Sequence, residues 1–194
     1  MQVACVLKSG GEYRAEHVSA LADSILKHNN LPIVCLTDAV IDDPKVKVIP
    51  LKHSWPGWWS KIELFRVCQQ PTLYLDLDTV VVGELPEIGP DFTMLADVYW
   101  QNDVGSGVMS WRKCPTYIYE TFCQNPAGYM RLYRTRQRWG DQGFIRDHYP
   151  GRPQTFGPEY RSYKVFCRRG VPAGTKVVYF HGRPKPWQVE LQYA

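Results

Sequence analysis

Leu73-Tyr74-Leu75-Asp76-Leu77-Asp78-Thr79-Val80-Val81-Val82 is an apolar, β-rich run that two aspartates interrupt and that then resumes. Side chains at i and i+2 of an extended chain point to the same side. Read as one strand, the run therefore puts Asp76 and Asp78 on one face. Two carboxylates so placed repel each other unless a positive charge lies between them. A hard divalent cation, Mg²⁺ or Mn²⁺, with oxygen ligands and substrate phosphates completing its shell, is the usual solution. The plain alternative is a strand turning outward, with both carboxylates hydrated. The apolar flanks favour burial, and a buried carboxylate pair needs a partner.

Upstream, Gln2–Leu7 reads as a buried strand, followed by the turn-rich loop Ser9-Gly10-Gly11-Glu12-Tyr13. Ala15–His28 carries Val18, Leu21 and Ile25 near a 3.6-residue period, an amphipathic helix that ends before Asn29-Asn30. Leu31–Thr37 and Lys45–Ile49 are the next strands. Strand, helix, strand with apolar strands predicts an α/β fold, a mostly parallel sheet covered by helices. In such sheets ligands bind beyond the carboxyl ends of strands, which puts the Ser9–Tyr13 loop on a binding face. Closer to the acidic pair, three tryptophans fall within Trp55–Trp59, as core material or as a stacking platform. Ser60-Lys61-Ile62-Glu63 has capping-box spacing before Phe65 and Cys68, which places Lys61 in a first helical turn, against the dipole. An anionic neighbour or plain solvation would account for it.

Downstream, Thr93–Ala96 and Val108–Trp111 read as strands, the second entered through Gly105-Ser106-Gly107, where a ligand or another segment must approach the backbone. Thr116–Cys123 reads as a helix. Arg131–Arg138 interleaves arginine with tyrosine; without a nucleic-acid motif beside it this is a solvated face, and nucleic acid is not an expected partner. Asp141 stands near the start of another helix, where capping is the simple explanation. Residues 150–174 read as surface loop, and Lys176–Phe180 as a last strand delivering His181.

With 194 residues, the chain is most economically one domain, 1–194. No stretch approaches the ~18 apolar residues of a membrane span. Six scattered cysteines without a CxxC pair point to reduced core thiols and a cytoplasmic protein. The net charge of +4 hides an asymmetry: residues 1–111 hold 8 Lys/Arg against 14 Asp/Glu, residues 112–194 hold 15 against 5. An acidic half that holds a cation and a basic half that attracts an anion would give this pattern, as would a surface tuned for solubility.

Taken in order, Tyr74-Leu75-Asp76-Leu77-Asp78, Gly105-Ser106-Gly107-Val108-Met109, Gly140-Asp141-Gln142-Gly143 and His181-Gly182-x-x-Lys185-Pro186-Trp187 form a much more specific pattern than any one of them. The set resembles the GT-A glycosyltransferases of the glycogenin and bacterial lipopolysaccharide galactosyltransferase type, family eight and its close relatives. That resemblance implies a single Rossmann-like GT-A domain and retaining transfer of a hexose from a nucleotide-diphosphate sugar, a UDP-sugar, to a carbohydrate or other hydroxyl acceptor. It implies a metal, Mn²⁺ or Mg²⁺, on Asp76, Asp78 and His181, and donor contacts from Lys61, Asp76, Leu77, Gly182 and Lys185. It implies Asp141 on the donor sugar's hydroxyls and Gln142 near its reactive carbon. The chemistry agrees with the assignment: a cation neutralises a diphosphate leaving group, an imidazole ligand favours Mn²⁺, and Lys185 adds a point charge. One departure stands out: the family often has Asn where this chain has Gly105, leaving Asn102 and Asp103 as candidates for that contact.

Two other functions fit parts of the pattern. A catalytically silent nucleotide-sugar or glycan-binding module would share the fold, but has no use for both metal ligands and phosphate contacts. An Mg²⁺-dependent nucleotidyltransferase also pairs aspartates, but calls for a stronger Gly-rich N-terminal loop than Ser9-Gly10-Gly11.

Overall fold

The computed structural model describes residues 1–100 and 103–192. It opens with β1 (Gln2–Leu7), α1 (Ala15–Leu26), β2 (Ile33–Thr37) and β3 (Val46–Pro50). Alternate residues of β1 enter different cores: Val3, Cys5 and Leu7 meet Val18, Leu21 and Ile25 of α1, while Ala4 joins Leu36 and Phe65 on the opposite face. That two-sided burial is why β1 is apolar without alternation.

Where one helix from Ser60 is expected, a 3₁₀ helix (Gly57–Glu63) runs into a single α-turn, α2 (Leu64–Val67). The capping box does not form. Ser60 Oγ donates back to the Gly57 carbonyl at 2.7 Å, and the Glu63 carboxylate accepts from the amides of Lys52 and His53 at 2.8 Å each. Glu63, fully buried and paired with Arg66, holds down the preceding loop rather than a helix start.

β4 (Thr72–Leu75) and β5 (Thr79–Val81) are separate strands in different sheets, and Asp76-Leu77-Asp78 is the turn between them. This corrects the expectation of one strand with both carboxylates on one side. Then come β6 (Thr93–Ala96) and β7 (Val104–Trp111), the latter absorbing both glycines of the 105–107 segment. α3 (Tyr117–Gln124) is followed by an unanticipated α4 (Pro126–Leu132), which starts because Asn125 accepts from the Gly128 amide and Pro126 sits in the first turn. The hairpin β8 (Arg134–Thr135) and β9 (Arg138–Trp139) leads into α5 (Gly140–His148). Residues 150–174 are not plain loop: β10 (Gln154–Thr155) and β11 (Tyr160–Ser162) pair into the two sheets, and a π-helical turn spans Tyr163–Cys167. β12 (Val177–Tyr179) and a 3₁₀ turn (Pro186–Gln188) close the described chain.

The main sheet has the order β10-β6-β7-β4-β1-β2-β3, parallel from β4 to β3, with β7 antiparallel to both neighbours. A smaller sheet, β11-β12-β5, packs together with α1 on one face of the main sheet through Val81, Val177 and Tyr179, and its own far side joins Val80, Val178 and Phe180 to Cys167 and Val171; the main sheet's other face is covered from the 3₁₀ helix, α2, α3 and α5. The expected mixed, mostly parallel α/β architecture is thus the observed one. All six cysteines are free and five are buried. No helix of the described residues is long and apolar enough to cross a membrane.

Candidate active site

A cleft lies beyond the carboxyl ends of β1 and β4, where a parallel sheet leaves room for ligands. It has two lobes, of about 620 and 520 Å³, that share Glu12, Tyr13, Trp58, Lys61 and Asp76. The Ser9–Tyr13 loop, Tyr74 and Leu77 line the first. Asp78, Asp141, Gln142, His181, Gly182 and Lys185 line the second, so the fold brings the residues expected to hold the metal and the donor to one cleft, with Leu77 in the first lobe alone.

The Asp76 side is built on the main sheet. Asp76 begins the turn because its amide donates to the Gly107 carbonyl at 2.9 Å, and a Cβ on Gly107 would stand 3.4 Å from its Oδ2. Tyr74 Oη donates to Asp76 Oδ1, and Lys61 Nζ lies 3.0 and 3.1 Å from the two carboxylate oxygens. The same ammonium is 3.5 Å from Asp141, which accepts from Ser106 Oγ at 2.7 Å. Burial pulls the Lys61 pKa down, but Asp141 and Asp76 outweigh it and hold it above the ordinary value. Asp141 is buried and turns Oδ2 to both Ser106 and Lys61, so it is no helix cap. Lys61 is no solvated lysine either.

The Asp78 side joins the two ends of the chain. Asp78 Oδ2 accepts from Lys185 Nζ at 2.6 Å and from Tyr13 Oη at 2.8 Å; Lys185 also donates to Tyr13 Oη at 2.6 Å and lies 3.2 Å from Glu12. Burial raises the Asp78 pKa, the nearby Asp76 charge adds to this, and Lys185 opposes it. Burial, and then the charge of Asp78, push the Tyr13 hydroxyl well up. His181 Nε2 is 2.7 Å from Ser162 Oγ; burial first, then Lys164, lowers its pKa, which favours the neutral imidazole. Gly182 has φ +67, and a Cβ there would stand 3.2 Å from Lys164 Nζ, so the turn after His181 requires glycine.

Two carboxylates and a neutral imidazole on one cavity wall have the chemistry to hold Mn²⁺ or Mg²⁺. Thr79, on the same wall, carries a buried hydroxyl without a hydrogen-bond partner among the described residues, which suits a polar ligand. The side chains are not yet converged, however: among the described residues, no group of three or more His, Cys, Asp or Glu is gathered closely enough to hold an ion. Lys61 and Lys185 supply the positive charge the acidic pair needs, and His181 turns to Ser162. On Asp78 Oδ2 the Lys185 ammonium takes the place a cation would take.

Ser106 and Tyr13 were missed in the sequence as members of the site. A hydroxyl between glycines and a tyrosine after Gly-Gly carry no charge signal; the loop's place after the first strand was the only clue. Gly105 lines the cavity, but Asp103 does not take over a donor contact there: it accepts from Arg146 and the Val104 amide instead. Asn102 lies outside the described residues. Of the three clustered tryptophans, Trp55 and Trp59 are core and Trp58 faces the cleft.

No protein-family model matches the chain. Glycogenin-1 of Caenorhabditis elegans is 26% identical over 145 residues, 66% of this chain and 32% of that protein. The chain thus spans about a third of the length of that curated relative. Among solved structures, the galactosyltransferase LgtC, in complex with donor and acceptor sugar analogs, superposes with a TM-score of 0.70 at 13% identity, over 96% of this chain and 89% of LgtC. The glycosyltransferase GlyE of Streptococcus pneumoniae gives 0.65 at 12% identity, over 98% of this chain and 56% of GlyE. The chain has the GT-A fold and resembles the glycogenin and LgtC type of glycosyltransferase.

Proposed function

We propose that this chain is one GT-A domain that transfers a hexose from a UDP-sugar, with Mn²⁺ or Mg²⁺, to a hydroxyl acceptor with retention of configuration, in the cytoplasm. The observation that carries it is the meeting in one cleft of Asp76, Asp78, Asp141, His181 and two lysines, from segments as distant as residues 61 and 185. The outer lobe, walled by Ser9–Tyr13, Tyr74 and Leu77, takes the nucleoside. The inner lobe takes the diphosphate and sugar. When bound at Asp76, Asp78 and His181, the divalent ion supplies Lewis-acid stabilisation of the leaving group's charge.

The chain's own residues do the rest. Lys185 exchanges the Asp78 carboxylate for a diphosphate oxygen, keeping a charge-assisted hydrogen bond throughout. Lys61 stays between Asp76 and Asp141 and fixes both. Asp141 accepts from the sugar's hydroxyls, and the Gln142 amide oxygen faces the reactive carbon, where positive character develops. The bond from that carbon to the phosphate oxygen breaks, the acceptor oxygen bonds to the same face, and the departing phosphate takes the acceptor's proton. No protein carboxylate is needed as general base.

The test is calorimetry with UDP, GDP and ADP, with and without Mn²⁺ or Mg²⁺, followed by hydrolysis of a UDP-sugar panel. UDP binding that requires the cation, with release of one sugar, is the expected result. Binding unchanged by a strong chelator, or no nucleotide binding, would sink it.

A further inference from the structure

The cleft has an aromatic wall that the steps above leave unused. Trp58, on the 3₁₀ helix, and Trp139, at the end of β9, are 47% and 51% exposed, and their rings lie 5.9 Å apart with planes tilted by 42°. Both line the inner lobe beside Asp141 and Gln142. Single exposed apolar side chains are ordinary. Two indoles in contact on the wall of a polar cavity are a patch, and patches mark binding sites. Exposure is not a property of the segment either, since Trp55 and Trp59 on the same stretch are buried.

The pair is also held in place. Gly140 has φ +58, and a Cβ there would stand 2.8 Å from Trp58 Nε1. The backbone between Trp139 and Asp141 is thus the seat on which the Trp58 indole rests, and only glycine permits both the conformation and the contact. Trp139 is set by its register opposite Arg134 in the β8–β9 hairpin. It is two residues from Asp141 and three from Gln142, so whatever rests on it stands next to the groups assigned to the donor sugar.

We propose that Trp58 and Trp139 stack the sugar ring of the acceptor, which makes the acceptor a glycan and not a hydroxyl on a protein side chain. This rests on the transferase reading and deepens it. A pyranose has a face of C–H groups rimmed by hydroxyls. Indole faces attract the former through dispersion and their electron-rich surface. Glu12 and Asp97, on the same cavity, can accept from the latter. A serine or tyrosine hydroxyl brings no saturated ring with polar edges for two fixed indoles to match.

The experiment takes the full chain with UDP and Mn²⁺ and measures binding of lactose, maltose and cellobiose by saturation-transfer NMR, in wild type, Trp139→Ala and Trp139→Phe. UDP affinity is measured on the same samples. At least one disaccharide should bind wild type, weaken by about five- to tenfold in Trp139→Ala, and recover most of that in Trp139→Phe, as loss of one stacked ring requires. No binding by any of the three, or equal binding to wild type and Trp139→Ala, overturns the proposal. So does a parallel loss of UDP affinity in Trp139→Ala, which would assign the indoles to the donor. Failure of wild type to bind UDP at all is seen before any sugar is added, and defeats the transferase reading together with the platform built on it.

Discussion

Asp76 and Asp78 are two positions apart yet belong to two different machines. Asp76 hangs from the main sheet: its amide is on Gly107, its carboxylate on Tyr74 and Lys61, and Lys61 ties it to Asp141. All of these stand on β4, β7, the 3₁₀ helix and α5, which the large core fixes. Among the described residues Asp78 has a single ion-pair partner, Lys185, carried by the C-terminal turn, and that turn is held to the N-terminal part by Glu12, Tyr13 and the tilted contact of Trp187 with His17, centroids 4.0 Å apart. One carboxylate is tied within the sheet scaffold and the other to the C-terminal turn. The proposed cation exchange at Lys185 therefore belongs on the Asp78 side.

The largest effect expected is on chemistry. Asp78→Asn keeps the volume and removes the charge, and should lower the transfer rate by at least about 10²–10³-fold with the unfolding midpoint little changed. Full activity at saturating metal would take Asp78 out of the site and leave the Asp76 side alone. Next comes the Lys185–Asp78 pair. Lys185→Met should weaken UDP binding by about tenfold to a hundredfold, as loss of a charged hydrogen bond does. It should also cost the ligand-free fold about 1–3 kcal/mol, because Asp78 is left buried without its ion pair. A variant equally stable and equally good at binding UDP would show that the pair is ornamental.

His181→Ala sharpens the same contrast more gently. Mn²⁺ affinity, measured with UDP bound, should fall by about tenfold or more, 1.4 kcal/mol, with little change in ligand-free stability. The reverse, intact metal affinity in a strongly destabilised fold, would make His181 a support for Ser162 and nothing more. The smallest effect lies at the other end of the Ser9–Tyr13 loop, where Asp38 holds Lys8 and Ser9. Burial disfavours its charge, but Lys8 and Ser9 outweigh that and hold its pKa down at about 2 instead of 3.8. A carboxylate depressed in the folded state stabilises fully above its unfolded pKa and loses that as pH falls through the folded one. The protection of the Ser9 amide, its exchange rate relative to an unstructured amide at the same pH, should thus hold down to pH 3.8 and fall as pH drops towards 2. Protection lost well above pH 4 would untie the loop from Asp38.

The sequence determined the layer architecture and singled out most of the charged residues that meet in the candidate cleft. Val3–Leu7, Ile33–Thr37 and Leu73–Leu75 are apolar on both faces, which only a covered parallel sheet accommodates, and charged residues stand out against such strands. Asp76 and Asp78 were legible for that reason, whereas Asp141, His181 and Lys185 were expected from the resemblance of Gly140–Gly143 and His181–Trp187 to the family's motifs. What needed the tertiary structure was partnership. The alternation rule put the two aspartates on one side of a strand because it presumes that the strand continues; it does not, since β4 and β5 pair in different sheets. The capping spacing at Ser60 misled because Glu63 found two amides ten and eleven residues upstream. The segments of Ser106 and Tyr13 were legible but their side-chain roles were not, since a neutral hydroxyl matters only beside the carboxylate it bonds, 35 and 65 residues away. Local rules see neighbours along the chain, while a buried charge is settled by whatever folding brings within three ångströms.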